Sequence, residues 1–363
     1  MVLENISHSE DAARVAKSII ADLSKPFQLT QSNDVYIGAS IGISLYPEHG
    51  ASVQTLMDNA DAALYQAKAN GRGCYAYFSE EMTRAVQERI VLEMRLRNAI
   101  KEQEFRVFFQ PQVNINTGRI VGAEALVRWQ DPQNGLVPPS MFIPLAEETS
   151  LIIEIGEWVL HETCKQGREW LDAGLPPLTL AVNVSAKQFR HINMVDLVTR
   201  VLEETGFPAQ HLELEITESG LMECQYHSDE NNLTENQNNP ITILNKLSAL
   251  GIRLAIDDFG TGYSSLAYLK HFPLNVLKID KRFIDDIPNL KDDMEITATI
   301  IAMGHILGFQ VLAEGVENQP QLAFLQEKGC DTYQGYLKSK PIPAIDFVNL
   351  LETQQAQLKP DPK

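Results

Sequence analysis

Long apolar runs are missing from this chain of 363 residues. None reaches the roughly 20 residues of a bilayer-spanning helix. The first residues, which include Glu4, Glu10 and Asp11, do not resemble a secretory signal, so a cytoplasmic location is expected. Cysteine is scarce: Cys74, Cys164, Cys224 and Cys330 are scattered, with no two at metal-ligand spacing. That excludes a disulfide framework as the organising device and makes redox chemistry a poor reading; isolated thiols in a reducing compartment are expected. Basic residues are in deficit. Thirty Lys and Arg stand against 48 Asp and Glu, a net charge of −18, which argues against binding DNA, RNA or an anionic membrane, since each requires a basic face. A small phosphate ligand stays compatible with that charge where carboxylates recruit cations that reverse the local field. No Gly-Gly pair occurs anywhere.

What is present is a repeat. From residue 105 onward, short apolar runs end at polar residues and alternate with longer amphipathic stretches. The strand candidates are 106–113, 120–129, 179–184, 211–217, 253–257, 276–280, 310–313 and 332–337. Helical segments lie between them, as at 151–173 and 296–307, with apolar residues recurring at three and four. Eight such units over roughly 250 residues predict an α/β fold, a closed (β/α)8 TIM-like barrel. The first 80 residues read as a small α/β piece, with a helix at 11–23, a strand-like stretch at 35–45 and a helix at 56–69. The segment 83–103 places Val86, Ile90, Met94 and Ile100 on one side and reads as an amphipathic connecting helix that packs on the barrel. The expected organisation is therefore 1–82, a linking helix at 83–104, and a barrel at 105–357. The stretch 224–240, rich in Asn, Asp, Glu and Gln without apolar period, reads as a surface loop. Its Asn232-Leu233-Thr234 triplet is read as coincidence in a chain without a secretion signal.

A (β/α)8 barrel gathers its site at the carboxyl ends of its strands. The polar residues expected there are Glu124, Asn183, Glu215, Asp257, Asp258, Lys278, Asp280, Glu314 and Gln334. Several carboxylates converging on one mouth repel one another unless cations sit among them. All-oxygen ligands with no His or Cys suit a hard ion, Mg2+ or Mn2+. Adjacent Asp257 and Asp258 suggest two ions roughly 3.5 to 4 Å apart, one carboxylate bridging them, as phosphodiester hydrolysis by two metals requires. Lys278 is placed to orient the attacking water or neutralise phosphate charge. Each residue alone also has a structural reading. A strand-end Glu is commonly solvated, Asn183 makes a good helix cap, and Asp257-Asp258 before Phe-Gly-Thr-Gly is a plausible turn. Their coincidence at six successive strand ends is what those readings explain badly.

At these residues the chain resembles the EAL family of cyclic di-GMP phosphodiesterases. The triplet Glu124-Ala125-Leu126 alone is weak, since residue frequencies produce it by chance in roughly one chain of this size in six. Its company is specific: Phe109-Gln110-Pro111, Val127-Arg128-Trp129, Phe142-Ile143-Pro144, Asn183-Val184-Ser185, Glu215-Ile216-Thr217-Glu218-Ser219, Asp257-Asp258-Phe259-Gly260-Thr261-Gly262, Lys278-Ile279-Asp280, Glu314-Gly315-Val316-Glu317 and Gln334-Gly335-Tyr336, in that order. The likeness covers about residues 85 to 355. It implies hydrolysis of cyclic di-GMP to linear pGpG. Glu124, Asn183, Glu215 and Asp257 are implied to bind one metal, and Asp257 with Asp258 a second. Lys278 and Glu314 would handle the water, with Glu124 beside them in the catalytic set. Gln110, Arg128, Gln334 and Glu317 would contact substrate, and Glu218 and Asp280 steady the Asp-Asp-Phe-Gly-Thr-Gly loop. The family also implies an antiparallel first strand and a homodimer through the barrel. A catalytically silent cyclic di-GMP receptor is the alternative. The loop at 224–240 departs from the family by about a dozen extra residues. The N-terminal part resembles the second half of a GGDEF, or diguanylate cyclase, domain through Ser40-Ile41-Gly42-Ile43-Ser44 and Ala60-Asp61-Ala62-Ala63-Leu64-Tyr65. With no Gly-Gly signature, cyclase activity is not expected, and a fragment of a longer signalling protein is.

Overall fold

The computed structural model of the chain describes residues 1–4, 6, 8–30, 33–35, 37–191, 193–221, 240–260, 269 and 271–358. The polar run at 224–239, with Cys224 and the Asn232 triplet, lies outside them, as do Thr261 and Gly262. The chain divides into two compact units, Met1–Arg95 and Leu96–Lys363.

In the first unit, α1 (Ser9–Leu23) buries Ala12 and Ala16. Strands β1 (Phe27–Thr30) and β2 (Asn33–Val35) form an antiparallel pair. Strand β3 (Ile41–Ile43) belongs to a separate sheet, where it pairs in parallel with β4 (Tyr75–Tyr77). The single stretch expected at 35–45 is therefore the end of one strand and the whole of another, with Gly38 in the break. β1 and β4 are too short to display a period of two. Helix α2 (Val53–Ala69) starts at Ser52, whose hydroxyl accepts from the Thr55 N–H at 3.1 Å. It lies so close to β3 that a Cβ on Gly42 would collide with the Ala60 carbonyl and the Leu64 amide. Helix α3 (Glu80–Lys101) contains the boundary between the units. Its expected apolar side is corrected: Ile90 and Met94 are 55% and 63% exposed, whereas Leu96 and Ala99 are fully buried. At 100° per residue these two lie on the opposite side of the helix from Ile90 and Met94. The side chain of Val86 lies outside the described residues.

The second unit is the barrel. Its eight strands are β5 (Phe105–Asn114), β6 (Ile120–Asp131), β8 (Thr179–Asn183), β9 (Leu212–Thr217), β10 (Arg253–Phe259), β11 (Val276–Ile279), β12 (Gln310–Ala313) and β13 (Thr332–Gln334), in spatial order; a short β7 (Gly135–Val137) forms a hairpin with β6. Pairing of β5 with β6 closes the sheet. β5 is antiparallel to both β6 and β13, as the family resemblance implies, and the other neighbours are parallel. The eight strands coincide with the eight expected, the last ending at Gln334 rather than 337.

Packing follows from the alternation of side chains. On β9, Leu212, Leu214 and Ile216 are buried on one face and Glu213 and Glu215 on the other. Outside β5, Phe109 meets Trp170 of α4 (Ile152–Asp172) at 4.8 Å, and Trp170 stacks on Phe347 at 5.2 Å. Pairs of that geometry add about 0.5–1.5 kcal/mol each to the burial of their surface. A strand covered on both faces normally reads as an unbroken apolar run. β11, with all four residues buried, contains Lys278, and a buried ammonium must find partners. Among the described residues no helix is long and apolar enough to cross a membrane, and Cys74, Cys164 and Cys330 are free thiols.

Candidate active site

The partners of Lys278 are the carboxylates at the strand ends. Its Nζ lies 2.7 Å from Glu215 Oε2, 2.8 Å from Glu314 Oε1, 3.1 Å from Asp257 Oδ1 and 3.7 Å from Glu124 Oε2. Four elements thus converge on one ammonium: β6, β9, β10 and the turn after β12. Further amides tie Glu124 down. Asn183 Nδ2 donates to Glu124 Oε1 at 2.6 Å, Gln334 Nε2 donates to Glu124 Oε2, and the same Nε2 reaches Gln110 Oε1 at 3.1 Å. The antiparallel register of β5 makes the last contact, setting Gln110 opposite Glu124.

Asp258 sits near the end of β10, where the pairing with β11 shifts register, and has a left-handed φ of +53°, an unfavourable conformation for a residue with a Cβ, though one that Asp tolerates better than most. Its carboxylate and those of Asp257 and Glu314 offer oxygens that all lie within 4.8 Å of one another. Asp280 follows β11; it accepts from the Arg282 N–H at 2.7 Å and shares a hydrogen bond with Asp258. Glu218 accepts from the Gly260 N–H at 2.8 Å, which ties the end of β9 to the end of β10.

One ammonium among four carboxylates leaves three negative charges without a counter-charge, and the titration of the groups reflects it. Burial pushes Glu215 well above the usual carboxylate range. Burial, opposed by Lys278 and reinforced by Asp257 and Glu124, raises Glu314 to about 8. Burial and the neighbouring Asp257 raise Asp258 to about 6. For Lys278 burial acts downward, but the four carboxylates outweigh it and hold the lysine charged well above its ordinary value. The carboxylates are therefore in excess, and either protons or further cations must balance them. The donor set fits cations. It is all oxygen, and two of its atoms, Glu215 Oε1 and Gln334 Oε1, are buried with no hydrogen-bond donor among the described residues.

A cleft of about 260 Å3 opens over this cluster, with Gln110, Glu124, Asp257, Glu314 and Gln334 in its floor and wall. Of the residues the sequence pointed to, Arg128 lies four positions beyond Glu124 on β6, where Glu124 and the cleft-lining Tyr336 both act on its charge. Its guanidinium lies 5.6 Å from the Phe108 ring and donates to the Val127 carbonyl, and burial lowers its pKa. Glu317 is on the rim, paired with Lys281 at 2.6 Å. Two rim residues were not singled out from the sequence. Lys281 and the half-exposed Tyr336 face each other at 5.9 Å from ammonium to ring centre, and Lys340 lies 5.2 Å from the same ring. Their signal was adjacency: Lys281 follows Asp280, and Tyr336 closes the Gln334-Gly335-Tyr336 run.

The EAL domain family model matches residues 93–341, and the model described as diguanylate cyclase, GGDEF domain, matches residues 1–74. The bifunctional diguanylate cyclase/cyclic di-GMP phosphodiesterase MucR of Pseudomonas aeruginosa is 44% identical over 334 residues, 92% of this chain and 47% of that protein. The cyclic di-GMP phosphodiesterase NbdA of the same organism is 39% identical over 360 residues, 99% of this chain and 44% of that protein. The chain thus spans about half the length of the curated relatives it matches. Among solved structures, a PaMucR phosphodiesterase in complex with c-di-GMP superposes with a TM-score of 0.65 at 43% identity, over 70% of this chain and 99% of that one. Barrel, ordered motifs and family match coincide: the chain belongs to the EAL domain family.

Proposed function

We propose that this chain hydrolyses one phosphodiester of cyclic di-GMP to give linear pGpG, using two divalent cations, Mg2+ or Mn2+. The observation that carries the reading is the excess of carboxylates gathered around Lys278 at the floor of a cleft. The relatives named as cyclic di-GMP phosphodiesterases support the choice of substrate. Glu124, Asn183, Glu215, Asp257 and Asp258 would hold the ions, which supply Lewis-acid activation of a water and of the scissile phosphate. Lys278 and Glu314 orient that water. Gln334 fixes Glu124 and is itself held by Gln110; Gln110, Gln334, Arg128 and Glu317 contact the substrate. Glu218 and Asp280 steady the turn that carries Asp258. The N-terminal unit contributes no cyclase chemistry in this reading. The test is incubation with cyclic di-GMP and Mg2+ or Mn2+ and chromatography of the product: pGpG is expected. Tight binding without turnover would replace hydrolysis with a receptor function.

The charge imbalance gives a second expectation. Glu314 and Asp258 titrate higher in the folded, metal-free chain than their ordinary 4.5 and 3.8. Between those limits the folded state binds more protons than the unfolded one, so stability falls as pH rises from about 4, through about 6 for Asp258, to about 8 for Glu314. In excess chelator the melting temperature should decline from about pH 4 to about pH 8, and saturating Mg2+ should flatten the profile. An equally steep decline with and without Mg2+ would place the ions elsewhere.

A further inference from the structure

The rim residues Lys281 and Glu317 belong to different loops, and their ion pair is half-exposed, an arrangement that holds little by itself. What joins the two loops more firmly lies beneath. Gln321, the third residue of the helix Gln319–Glu327, is 2% exposed. Its Oε1 accepts from the N–H of Glu317 at 2.7 Å and of Asn318 at 3.1 Å. Its Nε2 donates to the Ile284 carbonyl at 3.0 Å, with the Asp285 carbonyl at 3.5 Å. The acceptor half completes a capping box with Asn318, a device found at many helix starts. The donor half has nothing to do with capping. It reaches 37 residues back to the turn after β11, which begins at Asp280 and carries Lys281.

Three further contacts show how little slack the loop at 314–317 has. Gly315 adopts φ +67°, and a Cβ there would collide with the aliphatic chain of Lys281. The Val316 N–H donates to the Gln334 carbonyl at 3.1 Å. A Cβ on Gly335 would run into the backbone of Val316. The loop is thus clamped on one side by the Gln334 strand end and on the other by the Gln321 amide.

We infer that Gln321 is a positioning residue for the site: its carboxamide locks the Glu314–Glu317 loop to the Lys281–Asp285 turn, setting the rim pair that receives substrate. This rests on the hydrolase reading for its kinetic consequence, but its structural content is independent of it. Capping and bridging are separable by substitution. Gln321→Glu keeps an oxygen to accept from the Glu317 and Asn318 N–H groups and loses the donor to Ile284 and Asp285. Gln321→Met removes both.

The experiment measures cyclic di-GMP turnover with Mg2+ and backbone amide exchange on the same proteins. Both variants are expected to raise KM by on the order of tenfold or more, with a smaller change in kcat, because the rim rather than the carboxylate floor is displaced. Exchange at Ile284, Asp285 and Ile287 should accelerate in both; exchange at Glu317 and Asn318 should accelerate in Gln321→Met alone. A wild-type KM in Gln321→Glu beside an impaired Gln321→Met would reduce the residue to a helix cap and overturn the inference. Should the wild type itself not turn over cyclic di-GMP, the hydrolase reading fails and the exchange data still decide: unchanged exchange across residues 281–287 in Gln321→Glu would overturn the bridge.

Discussion

Lys278→Met is expected to abolish turnover and to destabilise the barrel by about 3–5 kcal/mol, the cost typical of removing one partner from a buried charge cluster. The magnitude follows from what is left behind. Glu215 is fully buried and Glu124 nearly so, and each loses an ammonium at 2.7 and 3.7 Å. Methionine fills most of the volume, so the effect measures charge rather than a cavity. The diagnostic feature is the response to ions. The variant should regain part of its lost stability on addition of Mg2+ or Mn2+, and a larger part than the wild type gains, because added cations there compensate for the missing ammonium. Thermal unfolding across an ion titration measures this. Equal responses in the two proteins would mean that the ions bind away from Lys278.

Glu124→Ala is expected to lower kcat by at least about a thousandfold, equivalent to about 4 kcal/mol in the barrier, while leaving the fold in place. Glu124 is held at both oxygens, by Asn183 on one side and by Gln334 on the other. Its removal frees two amides as well as one metal ligand. The apo protein should suffer little, since one of the three uncompensated negative charges disappears with it. Metal affinity, followed by isothermal titration with Mn2+, should fall in parallel with kcat. Unchanged turnover would mean that the metals are held by the Asp257, Asp258 and Glu314 oxygens alone.

The barrel was legible because buried barrel strands write themselves as apolar runs with polar ends, and eight of them recur between 105 and 334. The polar ends announced the site for the same reason: Glu215 and Lys278 sit in strands otherwise too apolar to contain them. Other features depend on distance in space. Nothing in the spacing shows that Lys278 lies between four carboxylates rather than beside one. Nor does the spacing show that Arg128 sets its guanidinium over the Phe108 ring. The buried side of α3 was misread because Ile90 and Met94 form as good a helical pair on paper as Leu96 and Ala99. Gln321 was invisible because its second partner lies 37 residues away.

The antiparallel first strand determines where the polypeptide enters the barrel. A parallel first strand would admit the chain at the floor, far from the chemistry. β5 instead begins at the open end, with Phe105 opposite Trp129, and descends to Gln110 opposite Glu124. Glu104, the last residue before the strand, is fastened there: its carboxylate accepts from the Trp129 indole at 2.8 Å and its carbonyl from the Gln130 N–H at 2.8 Å. Any torque delivered through residues 96–104 is therefore applied on the catalytic side, six residues upstream of an amide in the cleft.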